Sequence, residues 1–178
     1  MNSKIKIMLD TKQYDKKPQG KEIGVIQNRI KAADTTIPNL AEYIVRGQSF
    51  KPSFLLGKGE DSWQSQQIFA LDFDDNTTIE QELERFRKLD ILPAFGYTTF
   101  SNSELHNKFR LVFKTDKVIT DYNIAKQIQN TLLQIFNNAD KQCSNLSRLF
   151  FGGKELIYVD YNNTIDYKDI LNKYKGEK

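Results

Sequence analysis

Several residue types that define whole classes of protein are almost absent from this sequence. Its 178 residues include one cysteine, Cys143, and one histidine, His106. A single cysteine excludes an intrachain disulfide and a multi-cysteine zinc site, and a single histidine excludes a multi-histidine metal site. No signal-peptide pattern is found, and no apolar run approaches the ~18 residues that a membrane-spanning helix needs. We therefore expect a cytoplasmic protein without membrane association, in which Cys143 is a small semi-buried thiol and not a nucleophile.

The composition is that of a globular protein with an uneven distribution of charge. The length fits one domain, and a hydrophobic fraction of 39% with twelve Phe and eight Tyr suffices for a packed core. Residues 1–60 hold eleven Lys or Arg against six Asp or Glu, whereas residues 61–178 hold fifteen against seventeen. We expect a single domain with a basic N-terminal subregion at 1–60, a core at 61–160 and a C-terminal helix at 161–178. A basic region of this kind suits a polyanionic partner.

The segment Ile68–Asp75 reads Ile-Phe-Ala-Leu-Asp-Phe-Asp-Asp. In a strand, alternate side chains share a face, so Asp72 and Asp74 would lie on one face about 7 Å apart. Their mutual repulsion would be relieved by a divalent cation, and oxygen ligands are those that Mg²⁺ and Mn²⁺ prefer. The alternative is a strand that ends in a solvated acidic turn.

The hydrophobic pattern predicts an α+β fold. From Ile68 to Val159 the order is strand, helix, strand, strand, helix, strand, which is typical of an RRM-like split βαβ-βαβ antiparallel sheet with two helices on one face. An N-terminal α/β extension precedes it. The predicted strands cover 4–9, 53–56, 68–75, 94–100, 108–114 and, as a hairpin or two short strands, 148–151 and 156–159. The predicted helices cover 21–33, 38–46 and 121–136, with another that begins at a capping box Thr77-x-x-Glu80.

The predicted topology places further polar residues beside the Asp pair. The first and third strands of a βαβ-βαβ sheet are central neighbours, so His106, Lys108 and Arg110 would flank the Asp face. Asp140 follows the last core helix and offers a third carboxylate, with Arg148 close behind it in sequence. The carboxylates could bind a metal ion and the neighbouring basic side chains could bind phosphates. Together they form a coherent site for a nucleoside triphosphate.

These residues resemble the archaeo-eukaryotic primase or primase-polymerase (AEP) superfamily, in particular the catalytic cores of phages and mobile elements. The hhhDhD motif of that family matches Phe69–Asp74, and its histidine motif before a basic strand matches Ser103–Arg110. Its later acidic residue corresponds to Asp140, and the run Asp140–Gly153 resembles primase-like replication proteins. The resemblance spans about 54–153. In this sequence Ser103 stands three residues before the histidine, and Asp140 lies between a helix and a loop.

The resemblance implies an enzyme that makes or extends primers by transferring nucleotides from NTP or dNTP in the replication of a phage, plasmid or other mobile element. Asp72, Asp74 and Asp140 would bind two Mg²⁺ or Mn²⁺ ions. The nucleotide would be bound by His106, Lys108, Arg110, Ser103 and Arg148. The expected partners are a single-stranded DNA template and a replicative helicase or accessory primase subunit.

Two other functions remain open at the level of sequence. The chain could be a replication-accessory module that binds single-stranded DNA or a helicase without catalysis. A metal-dependent nuclease or nicking protein is a weaker alternative, because a nicking enzyme would use paired histidines. We expect the basic residues of 1–50, among them Lys12, Lys16, Lys17 and Lys21, to form part of a template-binding surface beside the catalytic sheet, with a solubilising or partner-docking face as the alternative.

Overall fold

Residues 3–174, the part of the chain that the computed structural model describes, form eight strands and five α-helices. The strands are β1 (Ile5–Leu9), β2 (Lys31–Thr35), β3 (Phe50–Lys51), β4 (Ser53–Leu55), β5 (Trp63–Phe73), β6 (Phe95–Thr99), β7 (Phe109–Ile119) and β8 (Gly153–Val159). The helices are α1 (Lys21–Arg29), α2 (Ile37–Val45), α3 (Ile79–Leu89), α4 (Tyr122–Ile135) and α5 (Tyr167–Lys173). Short 3₁₀ helices cover Glu60–Ser62 and Lys141–Ser144. The ends of the predicted N-terminal and C-terminal regions, 1–2 and 175–178, lie outside the described residues.

The larger sheet is antiparallel, with the strand order β4-β5-β7-β6-β8. Strands β5 and β7 are neighbours, as the sequence predicts for the first and third strands of the core. The sheet has five strands instead of the expected four, because β4 pairs with β5 while β8 pairs with β6. The predicted α+β class, with an antiparallel sheet core and an N-terminal α/β extension, is confirmed.

Helices α3 and α4 cover one face of the larger sheet with aromatic contacts. Phe113 of β7 packs edge-on against Phe86 of α3 at a ring-centre distance of 5.1 Å, and Phe86 lies 4.0 Å from Phe136 at the end of α4. Phe69 is paired with Phe113 and therefore shares this face. Because strand side chains alternate, Asp72 lies on the opposite face.

The N-terminal part of the chain packs on that opposite face. A small antiparallel sheet with the order β2-β1-β3 contacts the larger sheet through β1 against β4 and β5, and α2 contacts β8. Phe50 and Phe150 form an isolated bridge, and their rings are stacked at 5.6 Å. One hydrophobic cluster includes side chains from both sheets. The N-terminal subregion is thus part of the surroundings of the Asp72 face.

Local details differ from the predicted elements for identifiable reasons. The helix expected to reach Ala33 ends at Arg29, because residues 31–35 pair with β1 as a strand. The capping box lies one residue later than expected and joins Thr78 to Gln81. The residues 148–151 do not form a hairpin with β8; Phe150 pairs with β3 instead. In these three cases a pairing or cap formed in the folded chain overrides local propensity.

No helix within residues 3–174 is both long enough and apolar enough to cross a membrane.

Candidate active site

A row of paired residues crosses β5, β7 and β6 on the face opposite the helices. Arg110 is paired with Asp72 on one side and with Tyr97 on the other. Its Nε donates to Asp72 Oδ1 at 3.1 Å, and its Nη1 donates to the Phe151 carbonyl at 2.8 Å and to the Tyr97 hydroxyl at 3.3 Å. Burial alone would lower the pKa of Arg110, but Tyr97 and Asp72 raise it above its ordinary value. Arg110 is therefore a charged, buried group that fixes the position of Asp72.

Asp74 lies just beyond the end of β5 and is more accessible, with 55% of its side chain exposed. Its Oδ1 is 3.0 Å from His106 Nε2 and 3.4 Å from Lys108 Nζ. Ser103 holds the turn before His106, because its Oγ accepts the main-chain N–H of His106 at 3.2 Å and the two main chains also bond to each other. The loop between β6 and β7 thus presents an imidazole and an ammonium group to Asp74.

Asp140 and Arg148 approach Asp72 from the segment that follows α4. The Asp140 main-chain N–H donates to the Asp72 carbonyl at 2.9 Å. Arg148 Nη2 lies between the two carboxylates, 3.2 Å from Asp140 Oδ2 and 3.5 Å from Asp72 Oδ2. Its guanidinium also lies 4.9 Å from the centre of the Phe150 ring. Both oxygens of Asp72 are consequently occupied by arginines.

The Asp pair opens into a surface cavity of about 80 Å³, which is room for several water-sized groups. Its walls carry Asp72, Asp74, Lys108 and Arg110, and also Lys17 from the loop between β1 and α1. Residues 99–101 and 151–152 form the remaining walls.

The comparison with solved structures is consistent with this architecture. The chain is similar to the AEP domain of the cyanophage S-2L primase-polymerase (PrimPol), with a TM-score of 0.55 over 96% of this chain and 88% of that one. The chain has an archaeo-eukaryotic primase fold. The two sequences are 11% identical, so the likeness concerns the fold. No protein-family model matches the sequence, and no curated protein shows significant sequence similarity to it.

The carboxylates of Asp72 and Asp74 raise the question of whether this site could hold a metal ion. Asp72 and Asp74 both face the cavity, and Mg²⁺ in nucleotide sites is commonly held by one or two carboxylates plus substrate phosphates. Within residues 3–174 no group of three or more Asp, Glu, His or Cys side chains is arranged to hold a metal. Asp74 and Asp72 would suit a cation shared with substrate once the arginines paired with Asp72 make room for it. The carboxylate of the expected third acid, Asp140, is paired with Arg148.

The primase fold places the residues proposed from sequence at different depths. Asp72, Asp74, Lys108 and Arg110 line the cavity, and His106 contacts Asp74. Ser103, Asp140 and Arg148 are not among the residues that line it; they contact His106 or Asp72 instead.

The sequence interpretation missed Ser101 and the position of Lys17, both of which line the cavity. Nothing in the pattern around Lys17 links it to β5. Two aromatic residues, Phe100 and Phe151, line the cavity and are partly exposed. By contrast, Phe95, Tyr97 and Phe150 are buried.

Cys143 lies beside this site without the properties of a nucleophile. Its side chain is buried, and its Sγ accepts from Arg148 Nη1 at 3.0 Å. Burial raises the pKa of the Cys143 thiol to about 11, so the thiol is protonated at neutral pH.

Proposed function

We propose that this protein is a template-dependent nucleotidyltransferase, a DNA primase or primase-polymerase that uses NTP or dNTP on single-stranded DNA. One observation carries the proposal: on a primase fold, both carboxylates of the Asp72-x-Asp74 motif open into one cavity with Lys108 and Arg110, and His106 contacts Asp74. Carboxylates, an imidazole and basic groups on adjacent strands are the groups that a metal-bound triphosphate requires.

The proposed role of each residue follows from how exposed its side chain is. Asp72 and Asp74 would hold Mg²⁺ or Mn²⁺, with Asp140 as the further acid when Arg148 releases it. The bound cations would lower the pKa of the attacking 3′-hydroxyl and neutralise charge on the departing pyrophosphate. Lys108 and His106 are partly exposed and would bind the phosphates, since both can turn from Asp74 to an incoming anion. Arg110 is buried and would orient Asp72 while its charge faces the cavity.

The remaining expectations concern partners. A replicative helicase or accessory primase subunit stays a prediction from the resemblance, as does a role for a phage, plasmid or other mobile element. The single-stranded DNA template belongs to the proposal itself, because a template-dependent nucleotidyltransferase copies one.

A primer-synthesis and primer-extension assay tests the proposal. Purified protein is supplied with single-stranded DNA, labelled NTP or dNTP, and Mg²⁺ or Mn²⁺. We expect incorporation by the wild type and a loss on the order of a hundredfold or more in Asp74→Ala, because its removal takes away a metal ligand. Asp74 is the better position for substitution than Asp72, which is tied to buried Arg110.

Asp75→Ala is the matched control. Asp75 is an exposed carboxylate on the same loop and is not among the residues that line the cavity. It should incorporate nucleotide like the wild type. Equal incorporation by Asp74→Ala and Asp75→Ala, with folding unchanged by circular dichroism, would contradict the proposal.

The arginines paired with the Asp72 carboxylate favour a second function. Both oxygens of this carboxylate face arginines, which occupy the positions that a cation would need. The chain would then be a replication-accessory module that binds single-stranded DNA or a helicase. Tight DNA binding with no incorporation under Mn²⁺ on any template would decide for this function.

A further inference from the structure

The N-terminal loop between β1 and α1 brings a lysine to the candidate active site. Lys17 lines the same cavity as Asp72 and Asp74, although it lies more than fifty residues before them in sequence. Its side chain is exposed, and within residues 3–174 no hydrogen bond or ion pair to Lys17 is present. No hydrogen bond or ion pair of the Lys17 ammonium group therefore explains why this side chain lies at the cavity.

The loop is held in place by a buried ionic network at its start. Asp10 is fully buried, and its carboxylate accepts two hydrogen bonds from Arg29, at 2.6 and 2.8 Å. Arg29 Nη2 also donates to the Tyr14 hydroxyl at 3.0 Å. Tyr14 and Pro18 are buried, so side chains on both sides of Lys17 anchor the loop to the protein.

Two glycines allow this loop to reach the cavity wall. Gly47 has a φ of +101°, and a Cβ there would lie 1.8 Å from the Tyr14 carbonyl oxygen. A Cβ on Gly152 would lie 2.5 Å from the Gly47 carbonyl carbon. The main chains of Tyr14, Gly47 and Gly152 therefore pack directly on one another, and Gly152 itself lines the cavity. This packing places Lys17, three residues after Tyr14, at the same opening.

The charges of the cavity indicate what Lys17 can bind. Lys108 is paired with Asp74, and Arg110 is paired with Asp72. Lys17 is the cavity-lining cation of residues 3–174 for which no carboxylate partner is present. An ammonium group on a flexible stem is suited to phosphate as a point charge.

We propose that Lys17 binds the terminal phosphates of the nucleoside triphosphate, so that the N-terminal subregion completes the nucleotide site. This inference rests on the proposed function. It separates Lys17 from the other lysines of its loop, which the sequence groups together as a DNA-binding surface. The adjacent Lys16 lines a different cleft with Lys12 and Arg46.

Equilibrium binding of a fluorescent nucleoside triphosphate, in Mg²⁺ and without DNA, tests the inference. We expect Lys17→Ala to weaken binding about tenfold, which corresponds to about 1.4 kcal/mol. Lys17→Arg should restore most of the affinity because it keeps the charge, and Lys16→Ala should bind like the wild type. A nucleoside monophosphate lacks the β- and γ-phosphates. Lys17→Ala and the wild type should therefore bind a nucleoside monophosphate with equal affinity.

The outcomes separate this inference from the proposed function. If the wild type binds triphosphate and Lys17→Ala binds it equally well, Lys17 has no such role, and the proposed function stands. An equal loss in Lys16→Ala and Lys17→Ala would also overturn the inference, because it would indicate a general effect of loop charge. A wild type that binds no triphosphate would overturn both.

Discussion

Asp72 and Arg110 occupy directly paired positions on β5 and β7, and the Arg110 Nε donates to the Asp72 Oδ1 at 3.1 Å. The pair is largely shielded from water, with 13% and 11% of the two side chains exposed. A sheet register therefore determines which basic group neutralises the first acid of the motif. The same register leaves Asp74, two residues later and beyond the end of β5, to the more exposed His106 and Lys108.

Removal of Arg110 should cost stability because it leaves buried groups without a partner. Arg110→Met keeps most of the apolar stem but leaves Asp72 Oδ1 and the Phe151 carbonyl without this donor. We expect a loss of about 3 kcal/mol in the free energy of unfolding, measured by urea denaturation. Lys108→Met on the same strand is the control, and its more exposed pair with Asp74 should contribute about 0.5 kcal/mol or less. Equal losses in the two variants would contradict a structural role for Arg110.

The parts of the site that sequence predicts are those set by local periodicity. Asp72 and Arg110 were expected on one face of adjacent strands, and the pairing of β5 with β7 places them there. His106 was expected near the acids because it precedes that strand. It contacts Asp74 after β5 and not Asp72 within the strand.

The parts that sequence does not predict depend on contacts between distant segments. Arg148 is predicted to bind the nucleotide, and nothing in the sequence indicates that its guanidinium lies between Asp72 and Asp140. No pattern in the sequence indicates that Gly47 and Gly152 pack together, since Gly47 is typical of a helix end and Gly152 of a turn. For the same reason the position of Lys17 could not be inferred.

Substitution of Gly47 should destabilise the protein because this position requires glycine, whereas substitution of an ordinary helical glycine should not. Gly47→Ala places a methyl group against the Tyr14 carbonyl at a positive φ, so we expect a loss of at least about 2 kcal/mol in stability. Gly24→Ala is the matched control because a Cβ there meets nothing within 4 Å inside α1. It should gain about 0.5–1 kcal/mol from higher helix propensity. Thermal denaturation of the two variants measures both effects, and a neutral Gly47→Ala would show that the loop packs differently.

Glu60 should make stability depend on pH. Its Oε1 accepts from Lys126 Nζ at 2.7 Å and from the Tyr122 hydroxyl, and its Oε2 accepts from the Leu146 N–H at 3.0 Å. Burial alone would raise the pKa of Glu60, but these donors outweigh it and lower the pKa from its ordinary 4.5. A lowered pKa stabilises the fold above the pKa of the unfolded chain, and this stabilisation is lost as the pH falls through the folded value.

Glu60→Gln measures that contribution. At pH 7 we expect the variant to be less stable by about 1 kcal/mol, because it loses charge-assisted hydrogen bonds. The difference between wild type and variant should shrink as the pH falls below 4.5. Urea denaturation at a series of pH values checks this, and a difference that stays constant down to pH 3 would show that Glu60 is not the titrating group.

The basic charges of the N-terminal subregion that remain for DNA are those without a carboxylate partner. Arg29 is paired with buried Asp10, and Arg46 is paired with Glu42, so neither charge is free for a polyanion. Lys12, Lys16 and Lys21 are exposed, and no ion pair to any of them is present in the described part of the chain. Each phosphate that a protein neutralises on a single strand contributes about −0.7 to the slope of log K against log salt concentration. Replacing all three with Ala should therefore flatten the slope by up to about 2.

The control must remove the same charge from another surface, because lower net charge alone weakens DNA binding. Arg87, Lys117 and Lys168 are exposed on α3, β7 and α5, outside the N-terminal loop. Their triple Ala variant should lower affinity slightly and leave the slope close to that of the wild type. Fluorescence anisotropy of labelled single-stranded DNA, titrated at several salt concentrations, measures both slopes. If the two triple variants give the same slope, the N-terminal lysines form a solubilising or partner-docking face, because a contact with phosphate must release counterions where it is made.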